Sequence, residues 1–439
     1  MKVMKFGGTS VGKPERMHQV ATLISQNNQP KIIVLSALSG TTNSLIEICN
    51  LLEQGNRETA KQKIDELEIH YKNFIIDLLS KEEYQAKAYE FISEHFDFLN
   101  IILKISFSEA LSKDILAQGE LLSTKLFSTY LSEVGIQHTL LPALEFMTID
   151  NNEEPQIGSI KVKLTQLLQQ HTNCTIFVTQ GYICRNAKGE IDNLKRGGSD
   201  YTASLIAAAI NASVCEIWTD IDGLHNNDPR IVDKTYAIEQ LSFDEAAELA
   251  YFGAKILHPA CIWPAQHFNI SVKLLNTMQP SAFGTLINDN KPTKGVKAVA
   301  AKDGIIAIKV KSSRMLLAYG FLKRIFEVFE KYKTSIDMVT TSEVAVSVTI
   351  DNNTHLKKII LELSEFSSVE LVFEQTIISI VGNEINAHNE IMLKIFSAIS
   401  QIPVTMVSYG GSGHNISLLV PRNLKNQTLK ALNTGLFDL

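Results

Sequence analysis

Met4-Lys5-Phe6-Gly7-Gly8-Thr9-Ser10-Val11 runs a short apolar lead into a lysine, two glycines and two hydroxyl residues. That order suits a turn that binds a polyanion. Glycines carry no Cβ, so backbone N–H groups approach phosphate oxygens closely. Lys5 adds a mobile positive charge, and the segment after it can begin a helix whose N-terminus favours anions. Gly7 to Gly12-Lys13 imitates a Walker A loop, which needs Ser or Thr next to place a hydroxyl on magnesium. Pro14 stands there, with neither hydroxyl nor N–H, so the P-loop reading is set aside.

Outward from this turn, residues 1–6 read as a strand, Met17 to Gln26 as a helix and Lys31 to Ser36 as an apolar strand. Strand–helix–strand order predicts a parallel α/β sheet. Ile64, Leu67, Tyr71, Phe74, Ile75 and Leu78 recur at helical spacing, which makes about 44–135 a helical excursion. Strands return at 175–179 (TIFVT), 214–218 (VCEIW) and 271–275 (SVKLL), with helices predicted at Tyr201–Ile210 and over 242–256. The first domain is expected to span 1–292, ending near Asn290-Lys291-Pro292.

Beyond it the pattern changes. Gly304–Lys311 reads as a strand, Phe321 to Tyr332 as an amphipathic helix, and Glu343–Ile350 alternates with Val344, Val346, Val348 and Ile350 on one face. Thr376–Val381, Glu390–Ile399, Val404–Ser408 and Ile416–Val420 repeat the scheme, an internal duplication of a small β-α-β-β-α unit. The second copy lacks a closing strand, and Val296–Ala301 is a spare one. Region 293–439 is therefore expected to hold two interleaved units, about 303–373 and 374–439 plus 296–301.

A chain of 439 residues is too long for one ordinary core. With 45% hydrophobic and 20% charged residues it reads as a soluble globular protein. A net charge of −6 offers no basic excess to a nucleic acid. The start shows no signal-peptide h-region, and no run approaches a membrane span. The five cysteines, Cys49, Cys174, Cys184, Cys215 and Cys261, are scattered without a C-x-x-C pair. Reduced thiols in a cytoplasm are expected, with no metal site among them.

Four further clusters follow predicted strands, where open α/β sheets bind ligands. Ser36-Ala37-Leu38-Ser39-Gly40-Thr41-Thr42-Asn43 holds more hydroxyls than a helix cap needs. Gln118-Gly119-Glu120 lies on a helical segment, where a lone glutamate is ordinarily a solvated surface residue. Leu194 to Ala203 (LKRGGSDYTA) leads a second glycine pair into an alanine-rich helix. Its Arg196 can clamp a carboxylate bidentately, and Asp200 can hold an ammonium or balance the lysine. Trp218 to Leu224 (WTDIDGL) and Asn227-Asp228-Pro229-Arg230 carry turn dipeptides, so a plain β-turn account exists beside a ligand role. Arg230 and Lys255 can supply positive charge to a triphosphate.

Together these clusters resemble the aspartate kinases of the amino-acid kinase superfamily. The resemblance runs through KFGGTSV at 5–11, the loop at 36–43, GE at 119–120, FVTQGY at 177–182, RGGSDYTA at 196–203, WTDIDG at 218–223, DPR at 228–230 and FGAK-x-LHP at 253–259. The C-terminal repeat resembles the paired ACT domains of that family, with GFL at 320–322 and TTSEV at 340–344. The chain is similar to the monofunctional type, without a fused homoserine dehydrogenase. The resemblance implies a mainly parallel sheet sandwiched by helices, followed by two ferredoxin-like βαββαβ ACT units.

It also implies transfer of the γ-phosphoryl group of ATP, with Mg2+, to the side-chain carboxylate of L-aspartate. Lys5, Gly7 and Gly8 are then expected at the phosphoryl group, with Ser36 near the phosphates. Arg196, Gly197, Ser199 and Thr42 are expected on the aspartate α-carboxylate. Glu120 and Asp200 would take its ammonium, Lys5 and Asp200 being the catalytic pair. Thr219, Asp220, His225, Arg230 and Lys255 carry over as nucleotide contacts. His225 stands where many relatives have a tyrosine, and Leu317-Ala318 where lysine-inhibited relatives often show His-Ser. Met315, Asp337 and Ser342 still match an effector site, so lysine is the expected effector, with threonine or none as alternatives. A homodimer paired through its ACT units is expected, with no nucleic-acid or membrane partner. Retention of Lys5, Glu120, Arg196 and Asp200 speaks against a catalytically dead sensor, and the ACT repeat against other carboxylate or carbamate kinases.

Overall fold

In the computed structural model, residues 1–194, 197–253, 258–289, 294–311 and 319–439 are described. The chain divides into two units: Met1–Leu224, Glu239–Phe243 and Ile256–Asp289 form the first, and His225–Ile238, Asp244–Lys255 and Asn290–Leu439 the second.

The first unit begins with β1 (Lys2–Phe6), α1 (Gly8–Val11), α2 (Pro14–Ser25) and β2 (Lys31–Leu35). The excursion follows as α3 (Thr41–Glu53), α4 (Arg57–Leu78), α5 (Glu82–Ile102) and α6 (Glu109–Glu133). Every periodic residue named in α4, from Ile64 to Leu78, is buried. Their stripe joins one core with Leu45 and Ile48 of α3, Phe91 and Phe96 of α5 and Leu122 and Leu126 of α6. Short pieces come next: β3 (Thr139–Leu141), α7 (Ala143–Phe146), α8 (Ile157–Gln169), β4 (Ile176–Gln180) and the hairpin of β5 (Ile183–Arg185) and β6 (Ile191–Asn193). The alanine-rich α9 (Gly198–Ile210) leads to β7 (Cys215–Thr219) and β8 (Gln240–Leu241). Helix α10 (Phe243–Tyr251) belongs almost wholly to the second unit. It covers part of the helix expected over 242–256, whose residues 254–256 lie outside the described ones. The unit closes with α11 (Pro259–His267), β9 (Val272–Asn276) and β10 (Thr285–Ile287).

These strands form one eight-stranded sheet in the order β3-β4-β2-β1-β7-β9-β10-β8. Six of them, from β3 to β9 in that order, run parallel, and β10 is antiparallel to β9. Strands β1, β2 and β4 are buried along almost their whole length, as parallel strands covered on both faces must be. The carboxyl ends of β1, β2, β4, β7 and β9 consequently lie along one edge.

The second unit contains β11 (Gly295–Lys311), α12 (Phe321–Lys331), β12 (Val339–Thr341), β13 (Ala345–Ile350), α13 (Leu356–Ser364), β14 (Ser368–Asn383), α14 (Asn389–Ala398), β15 (Met406–Ser408), β16 (Asn415–Pro421) and α15 (Lys425–Phe437). Its sheet has six strands in the order β12-β13-β11-β14-β16-β15. The two strands expected at 296–301 and 304–311 are one continuous strand, β11. The polar Lys302-Asp303-Gly304 stretch, which reads as a break, is absorbed by register shifts against β14 on either side of Ile305. The early half of β11 pairs with the late half of β14, and its late half with β13 and the early half of β14. Two cores result. Ile308, Val346 and Val348 pack with Ile325 of α12 and Ile359 of α13, while Ile378, Ile380 and Leu418 pack with Ile395 of α14 and Leu429 of α15.

Candidate active site

The turns after the parallel strands interlock. Gly7 N–H reaches the carbonyl of Trp218 at the end of β7 (3.4 Å), and Ser36 N–H donates to Phe6 at the end of β1 (3.2 Å). Gly181 N–H donates to Leu35 (2.9 Å), Thr277 N–H to Thr219 (2.8 Å), and the Ser10 and Thr277 hydroxyls share a bond of 2.7 Å. Gly8 lets the chain pass close to the second turn: a Cβ there would stand 3.0 Å from the carbonyl oxygen of Ala37.

Lys5 is the last residue but one of β1, its side chain almost buried, and its Nζ lies 2.6 Å from Asp200 Oδ1 in the first turn of α9. The two glycine-rich turns are thus joined by an ion pair. A Cβ on Gly7 would lie 3.2 Å from that same Nζ, so the glycine leaves room beside the ammonium. Gly197 caps α9 with φ of +72°, a conformation that other residues rarely adopt. Ser199 packs against Gly181, where a Cβ would meet the serine Oγ at 2.3 Å.

Glu120 is not the solvated residue that its local sequence suggests. It is 3% exposed, on a stretch of α6 where Gln118, Gly119, Ser123 and Thr124 are buried as well. Ala37 N–H donates to its Oε1 (3.3 Å), and Ser123 Oγ on the next turn donates to the carbonyl of Ser36 (2.8 Å). The other oxygen, Oε2, is buried without a hydrogen-bond partner. Burial raises the carboxyl pKa to about 8, against the smaller opposing effect of the Ala37 N–H. A cation placed against Oε2 would satisfy both the oxygen and the charge.

The structure therefore gathers Lys5, Gly7, Gly8, Ser36, Glu120, Gly197, Ser199 and Asp200 through direct contacts and paired strand ends. Thr219 ends β7, beside β1 in the sheet, and Asp220 follows it, with the threonine hydroxyl donating to the aspartate (3.1 Å). Thr42 is half-buried in the first turn of α3. His225 and Arg230 belong to the second unit. There His225 Nδ1 is 3.0 Å from Thr235 Oγ1, and the exposed Arg230 folds onto Asp228 with two bonds of 2.9 and 2.8 Å. Asp337 and Ser342 are also in the second unit, while Arg196, Lys255 and Met315 lie outside the described residues.

Tyr182 was not singled out from the sequence. Its φ is +65°, its N–H donates to Thr202 Oγ1 (2.8 Å), and burial together with the neighbouring charge of Glu120 raises its pKa to about 12. The usable signal was its place directly after the glycine that ends an apolar strand. Thr277 follows the apolar strand β9 directly, with Asn276 rather than a glycine before it. Among the described residues no group of three or more His, Cys, Asp or Glu side chains is placed to hold a metal ion. No described helix is long and apolar enough to cross a membrane.

A mainly parallel sheet with paired glycine turns at its carboxyl edge suits an amino acid kinase, and the family model bears this out. Residues 1–276 match the model of the amino acid kinase family and residues 378–436 that of the ACT domain. Lysine-sensitive aspartokinase 3 of Escherichia coli is 32% identical over 453 residues, 99% of this chain and 99% of the relative. The crystal structure of E. coli aspartokinase III with aspartate and ADP matches with a TM-score of 0.87 at 32% identity, over 100% of both chains. The form of that enzyme with lysine and aspartate matches with a TM-score of 0.82 at 32% identity, over 100% of this chain and 99% of the other. The chain belongs to the aspartokinases.

Proposed function

We propose that this chain transfers the γ-phosphoryl group of ATP to the side-chain carboxylate of L-aspartate, giving ADP and 4-phospho-L-aspartate at the carboxyl edge of the first unit's sheet. The observation that carries the reading is the Lys5–Asp200 pair between two glycine turns, with the open oxygen of Glu120 buried on α6 against the loop after β2. A carboxylate is already a nucleophile at neutral pH, so no general base is required. The barrier lies in bringing two anions into line, and catalysis is positioning with charge neutralisation.

Lys5 and the N–H groups of Gly7 and Gly8 receive the transferring phosphoryl, with Ser36 beside the phosphates. Glu120 Oε2 accepts the aspartate ammonium, and Asp200 holds Lys5 in place and shares that ammonium. Ser199, Gly197 and Thr42 face the α-carboxylate, which Arg196 is assigned to clamp. Thr219 and Asp220 serve the nucleotide, with His225, Arg230 and Lys255 assigned to it from their motifs. Asp220 is an exposed oxygen donor and fits Mg2+, which prefers oxygen ligands and keeps several waters. Mg2+ held there would supply positive charge against the phosphates.

The ACT units bind the feedback effector. Lysine is the proposed ligand, since the E. coli relative is named for its sensitivity to it. Asp337 and Ser342 are the proposed contacts, with Met315 assigned from its motif. Val339 and Val344 stand exposed at edge strand β12 and beside it, a surface suited to a second copy in a homodimer. The five free cysteines suit a reducing cytoplasm. Hydroxylamine trapping tests the reaction: aspartyl hydroxamate should form only with ATP and aspartate together. Equal trapping of glutamate or acetate would defeat the substrate assignment. Sedimentation as a monomer with and without lysine would remove the dimer.

A further inference from the structure

The Asp337 side chain, between α12 and β12, is 1% exposed. Its Oδ1 accepts both the Tyr251 hydroxyl and Lys302 Nζ at 2.8 Å, and Oδ2 is buried without a hydrogen-bond partner. Lys302 Nζ also lies 2.9 Å from Asp351 Oδ2 and 4.5 Å from the centroid of the Tyr251 ring. Two carboxylates and an aromatic face around one ammonium form a complete recognition site for that group. The ammonium comes from the protein's own strand β11. Burial works against the charge on Lys302, but the bonds to Asp337 and Asp351 outweigh it and hold its pKa above the ordinary value. The seat is therefore filled at neutral pH, and Asp337 is too deeply covered for a solute to reach while Lys302 stays.

We infer that Lys302 is a built-in occupant of the ammonium seat at Asp337, which a basic amino-acid effector takes only by displacing it. The inference rests on the proposed role of Asp337 as an effector contact. A tethered group competes at high effective concentration, and apparent affinity for the free ligand falls by the fraction of time the seat is open. Lys302 thus sets the concentration of effector to which the second unit responds.

Calorimetric titration of L-lysine into the full chain tests this, with Lys302→Met and Asp351→Asn as variants and melting curves to verify folding. Lys302→Met keeps the apolar stem and removes the ammonium, and lysine should bind about tenfold more tightly or better. Asp351→Asn loosens Lys302 without touching Asp337 and should move affinity the same way by a smaller factor. It decides the matter alone if Lys302→Met fails to fold. Equal affinity of wild type and the folded variants overturns the internal occupant and leaves lysine feedback standing. Weaker binding by Lys302→Met overturns it too, because Lys302 would then support the ligand. No lysine binding by any of the three overturns the effector reading along with it.

Discussion

Lys5 Nζ and Asp200 Oδ1 stand 2.6 Å apart, with the two side chains only 11% and 17% exposed. The pair ties the first strand to the first turn of α9. Removing one partner of such a pair leaves the other charge buried alone, at a cost of about 3–5 kcal/mol. Lys5→Met should therefore lower both turnover and melting temperature, and Asp200→Asn likewise. The double variant should recover most of the stability, since neither charge is left over, while turnover stays down by orders of magnitude. Thermal melts beside the hydroxamate assay separate the two effects. Recovery of turnover in the double variant would show that Lys5 acts in folding alone.

As the proposed seat of the aspartate ammonium, Glu120 should make aspartate binding depend on pH. Its pKa is raised from 4.5 to about 8 by burial, so the free folded chain holds the proton at pH 7. A raised pKa favours folding fully below the unfolded value, and the contribution is lost as pH rises through about 8. Glu120→Gln should thus melt above wild type at pH 9 and near it at pH 5. An aspartate ammonium favours the ionised carboxylate and must displace that proton. Aspartate affinity should rise up to about tenfold per pH unit from pH 6 to 8, then level off. Glu120→Gln should bind aspartate weakly with a flat profile over that range. A wild-type profile equally flat would remove Glu120 from the ammonium site.

Much of this site was legible because its signals are local. A glycine pair after an apolar run, with a lysine before it, needs no knowledge of the rest of the chain. The burial of Glu120 was not legible. Helix α6 is buried on several faces around it, and helical spacing cannot separate an inward carboxylate from a solvated one. The bounds of helix α15, implied only as the closing α of the repeated β-α-β-β-α unit, were hidden for the opposite reason: Lys425 to Phe437 is polar and buries only Thr428, Leu429, Leu432 and Asn433. The continuity of β11 was hidden by Gly304, because a glycine after two charged residues reads locally as a turn. The placing of His225–Ile238 with the second unit depends on bonds between residues some 200 positions apart, such as Asn227 to Asn433.

Gly181 should be irreplaceable for positional reasons. A Cβ there would come within 2.3 Å of Ser199 Oγ and 2.8 Å of Ser199 Cα, so Gly181→Ala must push the first turn of α9 off the sheet edge. Asp200 is the next residue, and its pairing with Lys5 would be disturbed. Overpacking of this kind costs about 1–3 kcal/mol, and a misplacement of about 1 Å can cost about 100-fold in rate. Gly189→Ala is the control. Nothing lies within 4 Å of a Cβ there, although φ is +81°, so it should lose only about 1–2 kcal/mol and keep its turnover. Equal turnover of the two variants would detach α9 from catalysis.

Asn433 should clasp the segment 225–238 within the second unit. Its Oδ1 accepts from the amides of Asn226 (3.4 Å) and Asn227 (3.2 Å), and its Nδ2 donates to the carbonyl of Lys234 (3.1 Å). Asn227 Nδ2 also reaches the Leu429 carbonyl (3.1 Å), and Asn226 Oδ1 accepts from Tyr236 N–H (2.9 Å). Asn433 is 2% exposed, so water cannot replace what a substitution removes. Leaving buried amide and carbonyl groups unpaired costs about 1–3 kcal/mol each. Asn433→Ala should lower the melting temperature and speed amide exchange at Tyr236 and its neighbours, while amides in β4 and β7 exchange as before. Asn433→Asp should be worse than alanine, because an acceptor then faces the Lys234 carbonyl. Unchanged exchange at Tyr236 in both variants would mean that the apolar contacts of Val232 in the core hold the segment without the clasp.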